Sequence, residues 1–82
     1  MASQSLVLLY SNNMFAEVTD QIVANLQKSC ALVKTQEELK RFIKHINKNI
    51  LIISRAIKSG QFQKVQPKLE SNLSLLKCFK EQ

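Results

Sequence analysis

The sequence predicts an all-α fold: a small antiparallel three-helix bundle in up-down-up order, either closed as a monomer or completed by dimerisation. Apolar residues recur at helical spacing along most of the 82 residues. One Gly and one Pro are too few turn formers for a sandwich or barrel, which needs a turn every ~8–12 residues. The 45% hydrophobic content is too high for a disordered segment. We expect a single helical domain over residues 1–82.

The middle helix shows the clearest pattern and is predicted over residues 35–58. Thr35 and Glu38 have the spacing of a capping box, in which each side chain accepts a hydrogen bond from the other residue's amide. Lys58 and Gly60 then supply a cation in the last turn and a glycine just beyond it. Between these ends runs an apolar seam at the heptad spacing of a coiled coil, which is predicted to face the core. The seam, with Phe42 beside it, comprises Leu39, Ile43, Ile46, Ile50, Ile53 and Ile57.

The first helix is predicted over about residues 5–33, because its apolar residues fall within one arc of a helical wheel. A break at Ser11-Asn12-Asn13 is an alternative, since these side chains compete for backbone hydrogen bonds and one of them can cap a new helix start. A lone strand at Leu6–Tyr10 is a weaker alternative, because no second strand is visible to pair with it. The residues predicted to face the core are Leu8, Phe15, Val18, Ile22, Leu26, Cys30 and Val33.

The third helix is predicted over about residues 66–80 and follows a loop over residues 60–66. Pro67 suits the first turn of a helix, where its missing amide costs nothing. Apolar residues then repeat at helical spacing from Leu69 to Phe79. Within the loop, Phe62 is predicted to pack back on the bundle.

Positive charge is concentrated on the middle helix. The formal net charge is +6, and most of it belongs to residues 34–59. On a helical wheel these cations share an arc of about 100°, nearly opposite the apolar seam. Such a stripe can bind an acidic partner, phosphates or an anionic membrane, or it can simply be a solvated face. The candidate partner-binding cations are Lys40, Arg41, Lys44, Lys48, Arg55 and Lys58.

Several aliphatic residues lie off the faces predicted to be buried. Leu51 falls within the basic arc and Ile52 at its edge. Two neighbouring helices cover only part of a helix, so these residues indicate an interface, with unremarkable surface aliphatics as the alternative. The run Ile50–Ile53 also indicates self-association, so a homodimer is a further prediction. The candidate apolar partner-binding residues are Leu6, Leu9, Tyr10, Leu51 and Ile52.

Residue types that carry catalysis or hold cofactors are scarce. No Gly-rich phosphate loop or nucleophile elbow is present, and Cys30 and Cys78 form no C-x-x-C pair. We therefore expect no enzyme activity, no cofactor and no metal, and both cysteines are predicted as small core residues. His45 and Lys48 have an H-x-x-K spacing that resembles histidine phosphotransfer domains, which would imply a phosphorylated His45. An ordinary surface histidine is the alternative.

These observations together predict a non-catalytic helical module that binds another, acidic protein: an adaptor, a small subunit, or an immunity- or inhibitor-type protein. Sequence-independent nucleic-acid binding through the basic stripe is the alternative, and peripheral membrane association is a third possibility. Residues 1–10 have neither the basic start of a signal peptide nor the apolar length of a membrane span. We expect a cytoplasmic protein without a transmembrane segment, and the two cysteines fit a reducing compartment.

Overall fold

The computed structural model describes residues 11–81, and within this range it consists of three α-helices without strands. Helix α1 spans Asn12–Leu32, α2 spans Gln36–Ser59 and α3 spans Gln66–Glu81. A short 3₁₀ helix at Gln63–Val65 leads into α3. The longest dimension of the molecule, 38 Å, matches the length of about 36 Å expected for α2 at ~1.5 Å per residue. The all-α, three-helix prediction is confirmed, whereas the up-down-up order and the dimer stay predictions.

Helix α1 begins at Asn12, the alternative start, and not near Ser5. Ser11 is its N-cap, with extended backbone angles (φ −73°, ψ 167°). The Ser11 hydroxyl accepts a hydrogen bond from the Met14 amide at 3.2 Å, which satisfies one of the donors that a helix start leaves without a partner. The prediction of one continuous helix over residues 5–33 is therefore wrong, because Ser11 is an N-cap with extended backbone angles and not part of a helix. The strand alternative at Leu6–Tyr10 lies outside the described residues.

Helix α2 has the bounds that the sequence predicts, to within one residue. The Glu38 amide donates to the Thr35 hydroxyl at 3.1 Å, and the Thr35 amide donates to Glu38 Oε1 at 3.0 Å, so both halves of the capping box are present. At the other end Gly60 adopts a left-handed conformation (φ 75°), which strains any residue that has a Cβ atom. Residues close to each end therefore fix the length of this helix, Thr35 and Glu38 through their side chains and Gly60 through its backbone conformation.

The capping box should make stability depend on pH through Glu38. Hydrogen bonds from the Lys34 amide and then from Thr35 hold the pKa of Glu38 below its ordinary value of 4.5. Because the pKa of Glu38 is lower in the folded than in the unfolded chain, the ionised carboxylate adds to the free energy of unfolding at pH values above its unfolded-state pKa. This stabilisation is lost as the pH falls through the folded-state pKa. Urea denaturation between about pH 3 and pH 7 should show a steeper acid loss of stability for the wild type than for Glu38→Gln.

The neighbouring variant Glu37→Gln is the matched control, because it removes a carboxylate from the same helical turn without touching the capping box. It should keep the steep acid loss of the wild type. Identical pH profiles for the wild type and Glu38→Gln would show that the box contributes no pH-dependent stability.

The core is built from all three helices and the turn before α3. Phe62 in that turn is 2% exposed, and its ring stacks on the ring of Phe15 with 4.3 Å between centroids. The prediction that Phe62 packs back on the bundle is thus confirmed. Helix α3 packs against both other helices. The buried apolar residues are Phe15, Ala16, Val23, Leu26, Phe42, Ile46, Ile53, Ala56, Phe62, Leu69 and Leu76.

The buried faces of α1 and α2 are rotated from the predicted ones. In α2, Phe42 and Ala56 are buried, whereas Leu39 is 37% exposed, so its placement in the core was wrong. In α1, Thr19 is fully buried and Val18 only partly. The positions of the neighbouring helices set the centre of each buried face, and periodicity defines that centre only to within the width of the apolar stripe.

A buried polar bridge joins α1 and α3. Asn72 Nδ2 donates to Thr19 Oγ1 at 2.8 Å and to Asp20 Oδ1 at 2.9 Å. The Thr19 hydroxyl donates in turn to the Ala16 carbonyl at 2.8 Å, and Lys68 Nζ lies 3.4 Å from Asp20 Oδ2. Because buried polar groups are costly unless hydrogen-bonded, this bridge favours one alignment of α1 against α3.

Candidate functional site

The cations predicted on the middle helix are all exposed and lie on α2. They occupy the side of the helix away from its buried residues, as the helical wheel indicates. We call these residues the basic face: Lys40, Arg41, Lys44, Lys48, Arg55 and Lys58.

Acidic side chains of this chain do little to neutralise the basic face. Within residues 11–81, the ion pair between Lys68 and Asp20 is the only one closer than 4 Å. The sequence has no acidic residue between Glu38 and Glu70. Only Arg41 is close enough to Glu38 to contribute to lowering the pKa of that carboxyl. The rest of the basic face presents its charge to solvent.

Two exposed aliphatic side chains lie among these cations. Leu51 is 49% exposed and Ile52 is 37% exposed. Residues three and four positions apart are neighbours on a helix surface, so Lys48 and Arg55 flank both of them. The basic face therefore has an apolar centre, where a partner can bury aliphatic surface while its charges pair at the edge.

The other candidate apolar residues, Leu6, Leu9 and Tyr10, lie outside the described residues, so their place on the surface stays a prediction. Sequence reasoning missed Leu32, which is 69% exposed at the end of α1. On a helical wheel Leu32 lies on the side of α1 away from the buried residues of that helix, which explains its exposure.

A solvent-open groove of about 350 Å³ lies between α1 and α2. Leu26, Val33 and Phe42 contribute apolar surface to it, and the exposed Leu32 lies beside them. Arg41 also lines the groove, so the groove and the basic face share one residue. No sequence signal could have located this groove, because it depends on how far apart α1 and α2 lie.

His45, Cys30 and Cys78, which the sequence analysis considered for phosphoryl transfer or metal binding, do not form a metal site in the described part of the chain. His45 is exposed beside the groove, and its backbone carbonyl accepts a hydrogen bond from Asn49 Nδ2 at 2.9 Å. Cys30 is half-buried against the core, but Cys78 is exposed, so its placement in the core was wrong. Across residues 11–81, no group of three His, Cys, Asp or Glu side chains is arranged to hold a metal ion.

Comparison with known proteins gives no relative from which a function can be transferred. No family model, no curated protein and no solved structure matches the chain. None of the helices in the described part of the chain combines the length and apolarity needed to cross a membrane. The surface chemistry of α2 is therefore the basis for inferring function.

Proposed function

We propose that this chain is a non-catalytic helical module that binds an acidic partner protein through the basic face of α2. The observation that supports this proposal is the combination of exposed, largely unpaired cations with the exposed Leu51 and Ile52 at their centre. Complementary charge steers association and selects the partner, while an apolar centre supplies contact area that excludes water.

The proposed partner surface follows from the chemistry of this face. Carboxylates would surround an aliphatic or aromatic patch, so that Asp or Glu meets Lys44 and Lys48 while the patch covers Leu51. The guanidinium of Arg55 offers planar donors that can hold one carboxylate through two hydrogen bonds. As part of the same proposal, the protein acts in the cytoplasm as an adaptor, a small subunit, or an immunity- or inhibitor-type protein.

A second copy of this chain is a less suitable partner for the basic face. A two-fold dimer places the same patch on both sides of the interface, so Lys48 and Arg55 would oppose the same cations of the other copy. Like charges held close together are destabilising. The predicted homodimer, if it forms, is therefore expected to use another surface.

Nucleic acid is the alternative ligand for the same cations. Phosphates would pair with Lys and Arg, but the exposed Leu51 and Ile52 would gain little from a phosphate backbone. No aromatic side chain belongs to the basic face, so it lacks the stacking surface that single-stranded nucleic acid uses. An acidic protein therefore accounts for more of this surface.

Affinity capture from an extract of the native source, with and without nuclease, tests the proposal. The wild type should retain a protein after nuclease treatment, because no nucleic acid bridges the two. Charge reversal of Lys44 and Lys48 to Glu should weaken that binding on the order of tenfold or more, since it places repulsive charges against the partner's carboxylates. Leu51→Asp should weaken it similarly by removing the apolar centre.

Two control variants match these changes on another helix. Reversal of Lys77 and Lys80 to Glu changes the net charge by the same amount on exposed positions of α3, and Leu75→Asp changes a leucine that is 43% exposed. Both controls should bind like the wild type. Loss of all binding on nuclease treatment, with a log K that falls by about 0.9 per phosphate contact as log salt concentration rises, would support the nucleic-acid alternative instead.

A further inference from the structure

A row of exposed side chains runs along the outer side of α2 at the spacing of a coiled-coil seam. Its members follow one another at steps of four, three, four and three residues, and all are cations except Leu51 in the middle. We propose that an acidic helix of the partner protein packs lengthwise along this row. The inference rests on the proposed function and adds the form of the partner. We call these residues the outer seam: Lys44, Lys48, Leu51, Arg55 and Lys58.

The outer seam faces away from the core. Ile46 and Ile53, on the opposite side of α2, are 0% exposed, whereas Leu51 is 49% exposed. At about 100° per residue, all five members fall within an arc of about 80°. At ~1.5 Å per residue the seam is about 21 Å long. Helix α2 therefore presents a second side on which a helix can pack, besides the side that it uses in the bundle.

Charge complementarity identifies the occupant as acidic. Within residues 11–81, no carboxylate lies closer than 4 Å to a cation of the outer seam, because the ion pair at that distance joins Lys68 and Asp20. The sequence has no acidic residue between Glu38 and Glu70. Glu38 precedes Lys44 by about 9 Å along the helix axis, at ~1.5 Å per residue, and serves the helix cap. Four cations of one sign are thus left to attract carboxylates of another molecule.

A helix fits the outer seam better than an extended segment does. Heptad-spaced positions of a second helix repeat at the same interval as the seam, about 10.5 Å per seven residues, and stay beside it at a crossing angle of about 20°. Side chains on one face of a strand repeat every ~6.8 Å, so over 21 Å a strand drifts by about one position. The backbone groups in the middle of α2 are paired within the helix, so an extended segment finds no main-chain hydrogen bonds there.

Leu51 sets the pattern that the partner helix requires. Lys48 and Arg55 lie three and four residues away, and their aliphatic stems can lie beside Leu51 while their charged ends reach the partner. The partner helix would therefore carry one aliphatic or aromatic residue opposite Leu51. Asp or Glu would follow three and four positions away on either side of that residue, on the same face of the partner helix.

Binding of three fluorophore-labelled synthetic peptides to the intact chain, followed by anisotropy, tests this inference. The first is an Ala-rich helix with Glu, Glu, Leu, Glu and Glu on one face at steps of four, three, four and three residues. The second has the same composition with the Glu residues spread around the helix, and the third carries two Pro in place of Ala. All three have the same charge, so the first should bind roughly tenfold or more tightly than the others only if one acidic helical face is recognised.

Exchange of charges shows whether the peptide lies on the outer seam. Lys48→Glu should weaken binding of the first peptide about threefold or more. In a set of peptides with each Glu in turn replaced by Lys, one member should bind Lys48→Glu more tightly than it binds the wild type. Lys77→Glu is the matched control, because it makes the same change at an exposed position of α3, and it should bind the first peptide like the wild type.

The outcomes separate this inference from the proposed function. If the first peptide binds no better than the other two, or if Lys77→Glu weakens it as much as Lys48→Glu, the helix inference is overturned. The proposed function still stands in that case, provided that reversal of Lys44 and Lys48 weakens the protein captured from the extract. A captured protein that is insensitive both to that reversal and to Leu51→Asp would overturn both.

Discussion

Phe62→Ala should destabilise the fold by about 3–5 kcal/mol, the usual cost of removing a buried aromatic side chain and leaving a cavity. Phe62 is 2% exposed and stacks on Phe15 at an interplanar angle of 14°. It lies in the turn between α2 and α3, so its ring ties that turn to α1. Against a total stability of about 5–15 kcal/mol for a small domain, this loss is large.

Equilibrium urea denaturation of the wild type and Phe62→Ala measures the effect, with Phe62→Leu as a variant that keeps most of the buried volume. Phe79→Ala is the matched control, because it makes the same chemical change at a partly buried position of α3. Phe79→Ala should cost clearly less. A loss below about 1 kcal/mol for Phe62→Ala would contradict the role of this ring in the core.

Asn72→Ala should destabilise the fold by about 1–3 kcal/mol, because it removes the side chain that donates a hydrogen bond to the buried Thr19 hydroxyl of α1. The Asn72 side chain donates to both Thr19 and Asp20, at 2.8 and 2.9 Å, and it is 5% exposed. Asp20 keeps its ion pair with Lys68, so the larger part of the cost should come from the fully buried Thr19. Thermal denaturation followed by circular dichroism measures the loss.

A double-mutant cycle separates the hydrogen bond from the packing around it. Thr19→Val with Asn72→Leu removes both polar partners and retains much of the volume, so the double variant should be more stable than the two single effects predict. Ser71→Ala, at an exposed neighbouring position of α3, should change stability by less than about 0.5 kcal/mol. Strictly additive single effects would show that Thr19 and Asn72 are not energetically coupled.

The features that the sequence predicts correctly are those set by nearby residues. Thr35 and Glu38 determine the start of α2, and Gly60 determines its end, because each acts within one helical turn. The exposed side of α2 follows in the same way, since helical geometry alone places Lys44 and Lys48 away from the apolar seam. The sequence alone was therefore enough to predict the cations of the basic face and the exposed aliphatic residues Leu51 and Ile52 beside them.

The features that the sequence does not predict depend on contacts between helices. Thr19 and Asn72 are far apart along the chain, and neither has a local signal that it meets the other in the core. The rotation that exposes Leu39 depends on where α1 and α3 pack against α2. The groove beside Arg41 likewise depends on the separation of two helices, so only a three-dimensional structure reveals it.

The most direct measurement of the central claim is a nuclear magnetic resonance titration of the isotope-labelled chain with the partner protein recovered by capture. If the basic face of α2 is the binding surface, the largest amide shift changes should cluster from Lys44 to Arg55, with smaller changes along the buried side of the helix. Changes concentrated on the exposed side of α3, around Ser71 and Leu75, with the Lys44–Arg55 amides unmoved, would contradict the account.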